Sequence, residues 1–264
     1  MERIKQALER ARAEREGQPR SQPAPAIQRK APTGTEIHYD QTRNIEVPDS
    51  VARRERVVTA FPEGAFSEAY KILRTQVLQR LKNNDWNVLA VTSPGHGEGK
   101  TLTALNLAVS MAMEIDRTVL LIDANLRHPS LHTHLGLPEA PGLSDYLQND
   151  TPLSELLVHP RGAGHLTVLP GGRPLPNSAE MLGSPKMMHL VEETKTRYPG
   201  RIVIFDLPPV LEAADALAFS PYVDAALLVV AEGVTSRADT ERAVDLLRNT
   251  NVLGTVLNKA GGAC

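Results

Sequence analysis

The segment TSPGHGEGKT, residues 92–101, sets three glycines at alternate positions ahead of a lysine and a threonine. Glycine lets a backbone curl so that successive N–H groups point inward and hold anionic oxygens. The spacing reads as a phosphate-binding loop. Gly95, His96, Gly97, Glu98 and Gly99 supply the turn, Lys100 is placed to reach β- and γ-phosphates, and Thr101 offers a hydroxyl to Mg²⁺. Leu102, the next residue, completes the candidate nucleotide-binding set. The strict pattern has a glycine six residues before the lysine, where this chain has Pro94.

Two carboxylates match this loop. Asp123 closes the apolar run TVLLID, and Asp206 closes RIVIFD. Either aspartate alone could be a turn former. At the carboxyl ends of two parallel strands, both face the crevice where open α/β sheets bind ligands, and there they suit a metal ion and its waters. His128, His132 and His134 form a local H-x₃-H-x-H cluster, but its spacing fits no standard zinc site and no cysteine is near.

Such a site needs strands and helices to hold it, and the hydrophobic pattern provides them. Buried-type strands are expected at residues 87–93, 118–123, 201–206, 225–231 and 252–258, and a strand running into a loop at 165–172. Helical periodicity marks 65–82, 99–114, 184–198 and 236–249, with weaker helices at 143–148 and 153–158. Continuously apolar strands alternating with helices imply an α/β fold of the P-loop NTPase type. It would be a mostly parallel sheet of six to eight strands with helices on both faces.

Composition bounds the function. The chain has 264 residues, a net charge of −2 and one cysteine, Cys264. A disulfide framework is excluded, and sparse cysteine suits a reducing cytoplasm. No apolar run approaches the roughly 20 residues of a membrane span, and the opening MERIKQALERARAERE lacks the apolar centre of an export signal. Near-zero net charge argues against bulk nucleic-acid binding, so no nucleic-acid partner is expected. Residues 1–60 carry 12 Lys+Arg against 9 Asp+Glu, a basic segment ahead of an acidic body. Ile4, Ala7, Leu8 and Ala11 share one stripe of a short opening helix, and the Pro-rich stretch 17–35 reads as a flexible linker. We therefore divide the chain into an opening segment, 1–60, and a domain carrying the phosphate-binding loop, 61–264.

Four segments together resemble the cytoplasmic ATPase module of the bacterial tyrosine kinases of polysaccharide synthesis and export. They are FSEAYKILRTQ at 66–76, the loop at 94–101, VLLIDANLRHPSLH at 119–132 and VIFDLPPVLEAADA at 203–216. PNSAEMLGS at 176–184 resembles a helix start of the same family, and the opening helix resembles that of its stand-alone members. The resemblance implies an ATP- and Mg²⁺-dependent protein-tyrosine autokinase. It would regulate exopolysaccharide synthesis, chain length or export at the inner face of the membrane. There it would work with a membrane chain-length-determinant or polysaccharide co-polymerase protein, so membrane association would be indirect.

By resemblance, Lys100, Asp123, Asp206 and Asn125 form the catalytic set, and Thr101, Asp123 and Asp206 hold the metal. Arg127 meets a phosphate or pairs with a carboxylate, and Asn258 contacts adenine or simply ends a strand. Glu68, Lys71 and Arg74 match a subunit-contact motif of a ring-like homo-oligomer; the alternative is pairing within one helix. The chain departs from the family in two ways. Asn125 stands where the family has a second aspartate, and asparagine cannot accept a proton. The five tyrosines, Tyr39, Tyr70, Tyr146, Tyr198 and Tyr222, form no C-terminal cluster, which leaves Tyr39 as the most accessible acceptor. Two other ATPase readings and one non-enzymatic reading accompany this one. They are a regulatory P-loop ATPase of the same pathway, a MinD/ParA-type positioning ATPase and a nucleotide-gated scaffold. The positioning family's signature lysine falls on Gly95.

Overall fold

A computed structural model describes residues 42–196 and 200–261. The expected opening helix, the Pro-rich linker, Tyr39, Tyr198 and Cys264 lie outside the described residues. Eight strands form one sheet: β1 (Arg43–Ile45), β2 (Val88–Thr92), β3 (Val119–Asp123), β4 (Val158–Pro160), β5 (Leu166–Leu169), β6 (Ile202–Asp206), β7 (Ala225–Ala231) and β8 (Asn251–Asn258). Their spatial order is β1-β4-β5-β3-β6-β2-β7-β8. Every pairing is parallel except β4 with β5.

The central strands β2, β3, β6 and β7 are apolar along almost their whole length because both faces are covered. Leu89 and Val91 of β2 enter one core cluster, and Val88 and Ala90 enter the other. β3 divides the same way, Val119 and Leu121 against Leu120 and Ile122, as does β6, Ile202 and Ile204 against Val203 and Phe205. Successive residues of a strand point to opposite faces, so a period of two appears here as two separate cores.

One face is covered by α1 (Asp49–Arg54), α2 (Ala65–Asn83), α3 (Lys100–Ala112) and α4 (Leu131–His134). The other carries α5 (Leu143–Asn149), α6 (Leu153–Leu156), α7 (Ser178–Leu182), α8 (Pro185–Thr196), α9 (Ala214–Phe219) and α10 (Arg237–Leu246). The central helix α3 is buried almost along its whole length, including Leu105, Leu107 and Met111. Its one deeply buried amide, Asn106, is satisfied at both ends. Its Oδ1 accepts from the Val58 N–H at 2.8 Å, and its Nδ2 donates to the Arg56 carbonyl at 3.0 Å.

Each of the six expected strands is present, and β1 and β4 are additional. Three residues are too few for a periodic pattern to declare itself. The helix expected over 153–158 stops at Leu156, and the chain turns into β4 instead. The folded body also reaches further back than Phe61. β1 pairs with β4, and Ala52, Val57 and Val58 are buried in the core. Polar spacing in this stretch hides the apolar residues that anchor it.

Candidate functional site

The crevice lies where β2, β3 and β6 end. β2 runs into the glycine loop, and α3 begins at Lys100 as the loop closes. Gly97 and Gly99 both take positive φ, +71° and +89°. At Gly99 a side chain is also barred by space, because a Cβ would lie 1.9 Å from the Asn258 amide nitrogen. This turn aims the first N–H groups of α3 and the positive end of its dipole into the crevice, an arrangement suited to phosphate.

Lys100, Thr101 and Asp206 meet directly. Lys100 Nζ lies 3.2 Å from Asp206 Oδ1 and donates to Thr101 Oγ1 at 3.1 Å. The Thr101 hydroxyl donates to Asp206 Oδ2 at 2.6 Å. β3 and β6 pair in register at Asp123 and Asp206, which makes the two carboxylates neighbours. Asp123 is held by backbone donors: Asn125 N–H to Oδ1, and Ser130 and Leu131 N–H to Oδ2. Burial pushes the Asp123 carboxyl up, to about 7, and the adjacent Asp206 adds to the rise.

Asn125 donates through Nδ2 to the His128 carbonyl at 2.9 Å. Its Oδ1 is buried and has no hydrogen-bond partner. An orphaned acceptor beside two buried carboxylates and the Thr101 hydroxyl is a donor set that fits a hydrated, oxygen-seeking cation such as Mg²⁺. Among the described residues, no three His, Cys, Asp or Glu side chains are grouped to hold a metal by themselves. Mg²⁺ commonly takes only one or two carboxylates and completes its shell with water and substrate phosphate.

The rest of the loop is clamped by side chains. Glu98 is buried, and its carboxylate turns back into the loop. Its Oε2 accepts from Gly95 N–H at 2.8 Å, and its Oε1 accepts from the Thr235 hydroxyl. Asn258 Nδ2 donates to the Glu98 carbonyl at 2.9 Å, so in this structure it braces the loop. His96 is half-exposed. It bonds Glu212 twice: its N–H to Oε1 and its Nε2 to Oε2, both at 2.8 Å. Leu102 is half-buried in the first turn of α3.

Arg127 does not point to the loop. Its Nε pairs with the fully buried Asp215 of α9 at 3.0 Å, and Asp215 also accepts from Ser178 of α7. The three histidines do not converge. His128 packs edge-on against His96, with centroids 5.5 Å apart, while His134 faces Glu55. Burial pushes the His134 imidazole below its usual range.

Sequence reasoning missed Glu212, Thr235, Ser130 and Ser178; for Arg127 the expected alternative of a carboxylate partner holds, with Asp215 as that partner. Glu212 had one available signal, its position just after the paired prolines that follow Asp206. Thr235 had none, because it reaches the loop across 137 residues of chain.

Relatives place this arrangement. A tyrosine-protein kinase of Bacillus subtilis, YwqD, is 36% identical over 211 residues, covering 78% of this chain and 87% of the relative. The chain belongs to the bacterial tyrosine kinases. The solved kinase domain of Escherichia coli tyrosine kinase ETK is 30% identical, with a TM-score of 0.70, covering 78% of this chain and 82% of that one. A more distant likeness, to a septum site-determining MinD of Pyrococcus horikoshii, shows the fold alone. It is 24% identical, with a TM-score of 0.56, over 66% of this chain and 71% of the other. No established family profile matches the chain.

In this kinase the helix expected to carry subunit contacts is α2. Glu68 and Lys71 pair with each other on its exposed face at 3.3 Å. Arg74 is turned inward instead. It donates to the Ser110 carbonyl at 2.9 Å and lies 3.2 Å from Glu114, tying α2 to the end of α3.

Proposed function

We propose that this kinase transfers the γ-phosphoryl group of ATP to a tyrosine hydroxyl and so regulates exopolysaccharide synthesis, chain length or export. The Lys100–Thr101–Asp206 contact at the mouth of the glycine loop carries the reading. Lys100 neutralises the transferring phosphates. The loop N–H groups and the start of α3 orient them and stabilise the charge that spreads over the phosphoryl oxygens. Thr101, Asp123 and Asp206 would hold Mg²⁺, and the unpartnered Asn125 Oδ1 adds an oxygen acceptor to the same site. When bound, the ion supplies charge neutralisation between β- and γ-phosphates. Asn125 cannot take the tyrosine proton. The reaction tolerates this, because phosphoryl transfer depends more on positioning and electrostatics than on a strong base.

Three of the five tyrosines lie among the described residues, and each is half-buried. Tyr70 packs on Phe66 at 5.3 Å, Tyr146 lies beneath Lys186, and Tyr222 stacks near Phe219. Burial raises the phenols of Tyr70 and Tyr146 above their usual range and limits their access to a phosphoryl donor. The acceptor in this reading is Tyr39 or a tyrosine of a partner.

No described helix is long and apolar enough to cross a membrane. A membrane co-polymerase protein is the proposed partner, and the cytoplasmic face of the membrane the proposed place of action. The exposed Glu68–Lys71 surface supports self-assembly, and the segment ahead of β1 serves as the tether.

The test is phosphosite mass spectrometry after incubation with Mg-ATP, with ADP release counted in parallel. Phosphotyrosine that is lost in Lys100→Ala is the expected result. ADP release without phosphotyrosine, even with the membrane partner present, would replace this reading with a regulatory ATPase.

A further inference from the structure

We infer that Glu212 sets the preference of this site between nucleoside triphosphate and diphosphate. The inference rests on the nucleotide reading above and adds a determinant of specificity to it. Of the loop N–H groups, those of Gly95 and His96 are engaged by carboxylates: Glu98 for the first and Glu212 for the second, each at 2.8 Å. Glu98 belongs to the loop and is buried. Glu212 arrives from outside and is about 39% exposed. Its second oxygen is fixed by His96 Nε2 at 2.8 Å, and a Cβ built on Gly95 would lie 3.4 Å from its first. The carboxylate therefore lies flat against the open end of the loop.

Its route there gives it meaning. The chain leaves Asp206 and continues the pairing with β2 beyond the sheet. Val210 N–H donates to the Ser93 carbonyl at 2.8 Å, and Leu211 N–H to the Pro94 carbonyl at 3.2 Å. Glu212 follows at once. It is thus rooted on the strand whose Asp206 pairs with Lys100. The start of α3 serves the inner phosphates, while Lys100 reaches from the β- to the γ-phosphate. A third phosphate would draw on the donors at the open end of the loop, where the His96 N–H is already held by Glu212. Glu98 contributes a second negative charge nearby, and the His128 imidazole packs edge-on against His96. The γ-phosphate and the Glu212 carboxylate compete for this end of the loop, whereas a diphosphate stops short of it.

The experiment is equilibrium binding of ADP and of a β,γ-imido ATP analogue to the full chain, with Mg²⁺ at fixed salt. Parent, Glu212→Gln, Glu212→Ala and the remote control Glu139→Gln are compared. In both Glu212 variants the analogue should bind about tenfold tighter, while ADP affinity stays within about twofold. The control should change neither. Equal tightening of both nucleotides would mean general charge relief, and unchanged or weaker analogue binding would mean no competition; each overturns the inference. A parent chain that binds neither nucleotide would overturn the nucleotide reading itself, and this inference with it.

Discussion

Asp123 has no solvent exposure and lies in register with Asp206, and its carboxyl is raised from 3.8 to about 7. A raised acid keeps its proton in the folded state where the unfolded chain has already released it. Its contribution to stability is therefore whole below pH 3.8 and declines as pH rises toward 7, by a few kcal/mol at most, about 1.4 per unit. Asp123→Asn removes that dependence. Without added Mg²⁺, the difference in Tm between variant and parent should move in favour of the variant from pH 4.5 to 7.5; a pH-independent difference would contradict the assignment. Asn125→Asp works in the opposite direction. A third buried carboxylate should lower metal-free stability at pH 8 by about 1–3 kcal/mol. Thermal melts should then show a larger gain on adding Mg²⁺ than the parent shows.

At the scale of elements, the strand–loop–helix unit from Val88 to Ala112 was legible in the sequence. Its signals are local: an apolar run, glycines at alternate positions, and Lys-Thr at the helix start. Asp123 and Asp206 were legible because strand ends follow from the same pattern. The inward turn of Glu98, the clamp from Glu212 and the choice of Asp215 as the carboxylate for Arg127 were not. Each depends on which side chain meets another across the sheet, and one chain's spacing holds no record of that. The start of the folded body escaped for a related reason, since β1 pairs with the distant β4 and the turn after α1 is tied at Arg56 and Val58 by Asn106, 50 and 48 residues away. Asn106→Ala would leave Val58 N–H and the Arg56 carbonyl without partners. It should cost about 2 kcal/mol in urea unfolding, with little change in the m-value. Arg74→Ala should loosen α2 from α3, read as faster amide exchange in α2 while the strands stay protected.

For the whole molecule, parallel strands bring loop, lysine and carboxylates to one edge of the sheet and leave α2 on its outer flank. If α2 carries the subunit contact, the double variant Glu68→Ala, Lys71→Ala should reduce the assembly seen by light scattering without changing nucleotide affinity. An unchanged mass would remove this face from the assembly. The bracing of the loop also bears on how the protein is made. Glu98 is held by Thr235 and Asn258, which lie 137 and 160 residues away in the chain. A ribosome emits the loop early and these two braces late, at a rate of about 5–20 residues per second. For several seconds, then, the nascent chain carries a phosphate loop lacking two of its supports. Nucleotide affinity should come late in synthesis, once β8 has joined the sheet and the Asn258 amide has reached the loop.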